Sequence, residues 1–284
     1  MLRILRLMFL LVAGVGSTAR AETTLCNEIT SLPATISTQG VYCLKHDLNT
    51  SISSGAAIGI NTNNVTLDCN DFKVGGLAAG VTTNAIGILA NGRSNLTIRH
   101  CGVRGFDVGI MLIGSNVGGH LIEDNRVDLS TDTGMSLEGD DLVVRRNRIL
   151  QTGGRAAEVS HSSLYVHGNG QVTDNLLSGI TPADTGGNCS AYGIVLDQGP
   201  FQVEHNLVTG LTPAVSGEAR GIWGSSAVNY PNNIRNNTVI SASPVAGYGI
   251  DGGTPGPSTC GENTVTHFAT DTANCTDAGG NVNN

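Results

Sequence analysis

Three residues at equivalent positions of consecutive sequence repeats could carry acid–base chemistry: Glu138, His167 and Asp197. Each stands three residues after an apolar position in a short segment of alternating residues, so the three side chains face the same way. Tyr165 lies two residues before His167 and shares its face. A histidine between carboxylates can give or take a proton near neutral pH, and a tyrosine can supply the complementary transfer. We therefore predict these four as catalytic residues.

A second group follows on the next repeats, where Arg220, Trp223 and Asp251 occupy the same outward side. An indole offers an apolar face to a sugar ring, so we predict these three as substrate-binding residues. Outward positions of stacked strands are commonly polar, however, and such a column can also be a solvated surface worth little energy. Both interpretations stay open at the level of sequence.

Two short phrases recur along the chain and must position these side chains. The first phrase is six residues long: an apolar residue, any residue, a usually polar residue, an asparagine, any residue and a second apolar residue. Its copies are residues 67–72 (LDCNDF), 98–103 (IRHCGV), 122–127 (IEDNRV), 144–149 (VRRNRI), 172–177 (VTDNLL), 203–208 (VEHNLV), 234–239 (IRNNTV) and 260–265 (CGENTV). The second phrase is a glycine followed by an apolar alternation, as in residues 109–112 (GIML), 134–137 (GMSL) and 193–196 (GIVL).

Each repeat therefore holds about three short strands separated by turns, and none could bury its apolar side alone. If successive repeats stack as parallel strands, each repeat buries its apolar side against the next. Such stacking also aligns the asparagines of the first phrase in a hydrogen-bonded ladder formed by Asn125, Asn147, Asn175, Asn206, Asn237 and Asn263. A β-propeller has longer and more regular blades. The pattern predicts an all-β parallel solenoid of about eight coils.

Composition agrees with this architecture and restricts the function. The 284 residues include 39 glycines and only 4% aromatic and 13% charged residues, which disfavours a helical bundle and several large cores. Without residues 1–21, the chain has 12 basic and 23 acidic residues, a net charge of −11. Nucleic-acid binding is excluded as a predicted function because it requires a basic surface.

The first 21 residues have the features of a signal peptide. Arg3 and Arg6 precede an apolar run, and residues 19–21 (ARA) fit a cleavage site with small residues. The run is about half as long as the ~20 residues of a membrane-spanning helix, so we expect no membrane span. The predicted location is secreted or periplasmic.

The asparagine phrase resembles that of secreted right-handed parallel β-helix proteins of the pectate-lyase-like superfamily. Residues 32–36 (LPATI), 40–44 (GVYCL) and 65–70 (VTLDCN) also resemble bacterial right-handed β-helix repeat proteins. The resemblance implies a right-handed helix and a substrate along the outer face of one strand column. It does not imply the catalytic identities, because neither the Asp-Pro-His motif of alginate epimerases nor the calcium-binding cluster of pectate lyases is present.

This picture divides the chain into four parts and pairs its cysteines. Residues 1–21 are the signal peptide, 22–57 an N-terminal cap, 58–268 the β-helix and 269–284 a C-terminal tail, of which residues 274–284 are expected to be poorly ordered. In an oxidising compartment, seven cysteines favour disulfides, although an odd number cannot all pair within one chain. The coils predict Cys69–Cys101 between stacked repeats, Cys26–Cys43 in the cap and Cys260–Cys275 at the C-terminal end.

Two hypotheses about function follow. The first is an enzyme acting on extracellular polysaccharide, with lyase or hydrolase chemistry at Glu138, His167, Asp197 and Tyr165. The second is a non-catalytic surface β-helix that binds glycan or protein through the same face. We predict a monomer that needs no cofactor or metal, with calcium as the exception if the substrate is anionic.

Overall fold

The residues that the structure describes form a parallel β-solenoid. The computed structural model describes residues 22–155, 160–182, 187–225, 231–254 and 258–283. The predicted signal peptide, residues 1–21, lies outside the described residues. Every strand pairing among the described residues is parallel, and the single helical segment there is a 3-10 turn, Leu77–Ala79.

Twenty-six short strands build the described part of the solenoid. In chain order they are β1 (Asn27–Glu28), β2 (Ala34–Ile36), β3 (Gly40–Cys43), β4 (Leu48–Asn49), β5 (Ala56–Ile60), β6 (Val65–Asp68), β7 (Lys73–Gly75), β8 (Ile86–Asn91), β9 (Leu96–Arg99), β10 (Gly102–Arg104), β11 (Val108–Ile113), β12 (Leu121–Glu123), β13 (Arg126–Asp128), β14 (Thr133–Arg145), β15 (Arg148–Thr152), β16 (Ser160–Thr173), β17 (Leu176–Ile180), β18 (Ser190–Glu204), β19 (Leu207–Leu211), β20 (Ala219–Ser225), β21 (Asn233–Arg235), β22 (Thr238–Asp251), β23 (Ser258–Gly261), β24 (Thr264–Ala273), β25 (Cys275–Asp277) and β26 (Val282–Asn283).

The strands form three stacks, one on each side of the solenoid. The first stack contains the glycine phrase and runs through β5, β8, β11 and the first halves of β14, β16 and β18 to β20. The second stack precedes the asparagine bend and the third follows it. The long strands β14, β16 and β18 turn a corner and belong to both the first and the second stack. The predicted all-β solenoid of about eight coils is confirmed.

The core is a thin column of aliphatic side chains stacked coil upon coil. One inward row of the first stack is in register and fully buried in every coil: Ile88, Ile110, Met135, Leu164, Ile194, Ile222 and Ile250. Burying one such side chain contributes roughly 1.5–3 kcal/mol, so this row fixes the register. A shift of one residue would turn all of its members to solvent.

The asparagine ladder stands at the bend between the second and third stacks. In each step the amide oxygen of one asparagine accepts two hydrogen bonds from the asparagine of the preceding coil: Asn147 Oδ1 accepts from the backbone N of Asn125 at 3.1 Å and from its Nδ2 at 3.0 Å. The same pattern links Asn147, Asn175, Asn206, Asn237 and Asn263. All are at most 2% exposed, so these bonds satisfy polar groups that water cannot reach.

The C-terminal segment differs from the poorly ordered stretch predicted for residues 274–284. Strand β24 continues to Ala273, and β25 and β26 pair in parallel with the coil before them. Asn281 extends the ladder, because its Oδ1 accepts from the backbone N of Asn263 at 3.1 Å and its Nδ2 donates to the Cys260 carbonyl at 3.2 Å. The repeat was missed because Asn281 follows a coil of only 18 residues without the flanking apolar pattern.

The three predicted disulfides are present in the structure. Cys69–Cys101 joins neighbouring coils at the ladder bend, with 4.7 Å between the Cα atoms. Cys26–Cys43 holds the first strands, and Cys260–Cys275 joins β23 to β25. Three disulfides fit a protein that folds in an oxidising compartment. In the part of the chain that the structure describes, no helix is long and apolar enough to cross a membrane.

The glycine of the second phrase is required by close approach of the backbones. A Cβ atom at Gly193 would lie 2.3 Å from the carbonyl oxygen of Gly221 in the next coil and 2.5 Å from Val208 Cγ1. We expect Gly193→Ala to lower the free energy of unfolding by about 1–3 kcal/mol through this overpacking, measured by urea denaturation. Gly102→Ala is the matched control, because its Cβ would meet nothing closer than 3.5 Å. Equal effects of the two substitutions would contradict this explanation.

Candidate functional site

The outward side of the first stack carries the predicted catalytic column. Glu138 pairs with His167 in the next coil, and His167 pairs with Asp197 in the coil after that. Neighbouring strands lie about 4.8 Å apart, so each side chain is within reach of the next. The alternation that buries Met135, Leu164 and Ile194 is what directs the column to solvent.

Asp197 connects the tyrosine and the histidine. Its Oδ2 atom accepts a hydrogen bond from the Tyr165 hydroxyl at 2.5 Å and lies 3.1 Å from His167 Nδ1. An ionised carboxylate can only accept, so His167 must donate its Nδ1 proton to this bond. The second ring nitrogen, Nε2, is then the one that can accept a proton. The His167 side chain is 34% exposed, and it can meet a ligand from solvent.

The environment separates the pKa values of the two acidic groups in this cluster. Burial acts to raise the pKa of Asp197, but the hydrogen bonds from Tyr165 and His167 outweigh it, so the pKa lies below its ordinary value. Burial raises the pKa of Tyr165, and the Asp197 carboxylate and the charge of Glu138 raise it further. At neutral pH, therefore, Asp197 is a carboxylate and Tyr165 a protonated phenol.

Glu138 is in register with His167 but is held by a different partner. Its Oε2 atom accepts a hydrogen bond from the backbone N of Gly114 at 3.0 Å, at the end of β11. The side chain is half-buried. The structure therefore brings Tyr165, His167 and Asp197 into one hydrogen-bonded cluster and places Glu138 at its edge as an additional negative charge.

The predicted substrate-binding residues lie on the following two coils. The guanidinium carbon of Arg220 is 4.5 Å from the centre of the Trp223 ring. Its Nη1 atom donates to Asp251 at 3.1 Å and its Nη2 atom to Glu218 at 3.0 Å. Arg220 is thus ion-paired with two carboxylates and covers part of the indole. We interpret Arg220 as a positioning residue that holds the Trp223 side chain in place.

Asp251 is less accessible than its predicted role requires. It is only 6% exposed. One oxygen accepts from Arg220, and the other accepts from Asn274 Nδ2 at 2.7 Å and from the backbone N of Gly253 at 3.1 Å. These contacts indicate that Asp251 supports Arg220 from below the surface.

Two tyrosines complete an aromatic surface that the sequence interpretation did not include. Tyr192 packs against Trp223 with 5.2 Å between ring centres, and Tyr248 lies 5.3 Å from the Arg220 guanidinium. Tyr192, Arg220 and Tyr248 are direct neighbours in register. Extending the column of Arg220 by one coil in each direction would have identified both. This aromatic platform, comprising Tyr192, Trp223 and Tyr248, adjoins the cluster of Tyr165, His167 and Asp197.

The described residues contain no group of three or more histidine, cysteine, aspartate or glutamate side chains suited to hold a metal ion. The column Glu138, His167 and Asp197 is spread over three coils, and its members are engaged with Gly114 and with one another. Calcium as an aid to an anionic substrate stays a prediction from sequence.

Comparison with known proteins agrees with the architecture. A family model described as "Right handed beta helix region" matches residues 40–208, more than half of the chain, and bears out the right-handed fold that the resemblance implied. No curated protein matches.

Among solved structures, the Dettilon tailspike protein is 18% identical with a TM-score of 0.49. It covers 87% of this chain, and the chain spans only 54% of the tailspike. The A-module of the Azotobacter vinelandii mannuronan C-5 epimerase AlgE6 is 12% identical with a TM-score of 0.44, covering 86% of this chain and 83% of that one. At TM-scores below 0.5, such likeness is no evidence of shared activity.

Proposed function

The chain belongs to the right-handed β-helix family, and on this premise we propose that it is an exported protein that modifies polysaccharide on the outer face of its first strand stack. The observation that carries the proposal is the cluster in which Asp197 accepts from both Tyr165 and His167. Such clusters of coupled, titratable groups on an accessible surface mark sites of proton transfer.

The roles of the cluster follow from its hydrogen bonds. Asp197 orients the imidazole of His167 and stabilises its protonated form, which leaves Nε2 as the general base. Tyr165 keeps its proton at neutral pH and donates it in a hydrogen bond to Asp197, so its oxygen can accept a hydrogen bond from a sugar hydroxyl. Glu138 adds negative charge, which further favours a protonated histidine once a proton has been taken.

The aromatic platform supplies the means of holding a polymer. Carbohydrate rings present apolar C–H faces, and aromatic side chains bury such faces at low entropic cost. Trp223 and Tyr192 lie one to two coils beyond His167, so a chain of sugar units running along the solenoid axis would contact the platform and the cluster together. Spacing of about 4.8 Å per coil is close to the length of one sugar unit, which favours this direction.

A second candidate function is glycan binding without catalysis. The platform favours it, because Arg220, Glu218 and Asp251 order Trp223 without contributing a reactive group.

One screen tests the proposal and separates the two candidates. The protein lacking residues 1–21 is incubated with polyuronates, glycosaminoglycans and neutral glycans, while new reducing ends, ultraviolet-absorbing unsaturated ends and binding are measured. We expect product from at least one polymer class. Binding without any product would support the second candidate, and neither binding nor product would contradict both.

A further inference from the structure

We propose that the site accepts electrically neutral sugar units in preference to uronates, an inference that rests on the proposed function and names its substrate class. Three features of the charge distribution support this proposal. They are the ion pairs that Arg220 already makes, the negative charge of the other ionised side chains of the site, and the location of most lysines and arginines on another side of the solenoid.

Arg220 is the only lysine or arginine in the described strands of the first stack between β5 and Asp251. Its two terminal nitrogens are occupied by Asp251 and Glu218, at 3.1 and 3.0 Å. Its side chain is only 20% exposed, and one face of the guanidinium lies over Trp223. A uronate carboxylate would have to displace an existing carboxylate to pair with it.

The other charged groups of the site are negative. Asp197 is held ionised by Tyr165 and His167, and Glu138 lies two coils away on the same column. A sugar carboxylate placed between them would meet like charges at distances where each pair costs about 1–4 kcal/mol. Uncharged hydroxyl groups meet no such penalty and can donate hydrogen bonds to both carboxylates.

Most basic residues lie on a different side of the solenoid. Of the 12 beyond residue 21, eight flank the asparagine bend: Lys73, Arg99, Arg104, Arg126, Arg145, Arg146, Arg148 and Arg235. Several of them line two adjoining depressions of 330 and 270 Å³ there. The segments 156–159, 183–186, 226–230 and 255–257 contain no lysine or arginine in their sequence, so they add no cation to the chain.

The substrate class also determines the reaction. A neutral sugar unit that is not a uronate ester has no carboxyl group to acidify its C5 proton. Such a unit therefore cannot undergo β-elimination. Cleavage is then hydrolysis: the glycosidic C–O bond breaks, the hydroxyl of water bonds to the anomeric carbon, and its remaining proton ends on the leaving oxygen. Water is the only co-reactant, and His167 is the group placed to receive the proton that water loses in the attack.

Matched polymers that differ only in charge test the inference. Polygalacturonate and polymannuronate are compared with their carboxyl-reduced forms in EDTA, and both binding and product are measured. We expect the neutral form to bind at least about tenfold more tightly than the charged form. This difference in affinity should decrease as the salt concentration rises from about 10 mM to about 1 M, because the Debye length becomes shorter. Tighter binding of the charged form would overturn the inference while leaving the proposed function intact. Neutral preference without product would contradict catalysis alone, and no binding to any polymer would contradict both.

A charge variant gives the same test a gain-of-function arm. Glu218→Gln removes one of the two carboxylates that occupy Arg220, so we expect the preference for the neutral polymer to narrow by roughly two- to fivefold. Glu204→Gln, which removes a carboxylate from the second stack, is the matched control and should leave the preference unchanged. Identical effects of both variants would show that the preference for the neutral polymer depends on the net charge of the protein and not on the ion pairs of Arg220.

Discussion

Replacement of His167 by alanine should reduce polysaccharide turnover by about 10²–10⁴-fold, the usual contribution of a general base. The imidazole donates through Nδ1 to Asp197 at 3.1 Å, which leaves Nε2 free to accept a proton from the substrate side. The fold should not change, because the side chain is 34% exposed and belongs to no core row. Turnover is measured on the polymer that the screen identifies, with circular dichroism as the check on folding.

His46→Ala provides the matched control, since His46 is exposed near β4, away from the first stack. Full activity in this variant and loss in His167→Ala would support the assignment. Tyr165→Phe adds a finer readout: without the 2.5 Å hydrogen bond, the pKa of Asp197 rises toward its ordinary value. The acidic limb of the pH–rate profile should then move to higher pH. Retention of full activity by His167→Ala would rule out the proposed role of the cluster.

The second large effect concerns the ladder, where Asn175→Leu should lower the free energy of unfolding by roughly 2–5 kcal/mol. Leucine has a similar size but cannot accept from Asn147, whose backbone N and Nδ2 donate to Asn175 Oδ1 at 2.9 and 3.0 Å. The Val144 carbonyl loses its partner as well. All of these groups are buried, so water cannot replace the lost bonds.

Urea denaturation followed by circular dichroism measures this change. Asn91→Leu serves as the control because Asn91 is exposed at the end of β8, and a surface substitution is expected to stay within about 0.5 kcal/mol. A loss of similar size in both variants would mean that leucine destabilises the solenoid generally and that the ladder has no special contribution.

Much of the fold could be predicted because it repeats. Each coil shows the same inward and outward alternation, so one correctly placed residue determines the whole row. Leu164 is such a residue, although its coil has serine in place of the glycine that precedes the apolar position elsewhere. The column Glu138, His167 and Asp197 followed from this register. The end of the solenoid did not, because Asn281 closes the ladder without the flanking apolar residues that identify the other copies.

The chemistry within the site could be predicted only in part. Sequence placed Arg220 and Asp251 on the outer face as residues for substrate, whereas the structure shows them bound to each other and to Glu218 and Asn274. Which partner a long polar side chain takes depends on rotamers and on neighbours in adjacent coils, and a linear pattern does not contain this information. The positions of Tyr192 and Tyr248, by contrast, follow from the register, because both occupy the column of Arg220.

The sequence by itself determined a parallel solenoid, its asparagine ladder, its three disulfides and the line of side chains that faces solvent, because burial of apolar side chains at a period of two leaves one register. Only the tertiary structure decided which of those side chains act together. It joined Tyr165 and His167 through Asp197, and it paired Arg220 with Asp251 and Glu218 over the ring of Trp223. Such contacts are set by distances of a few ångströms between coils some 30 residues apart in the chain.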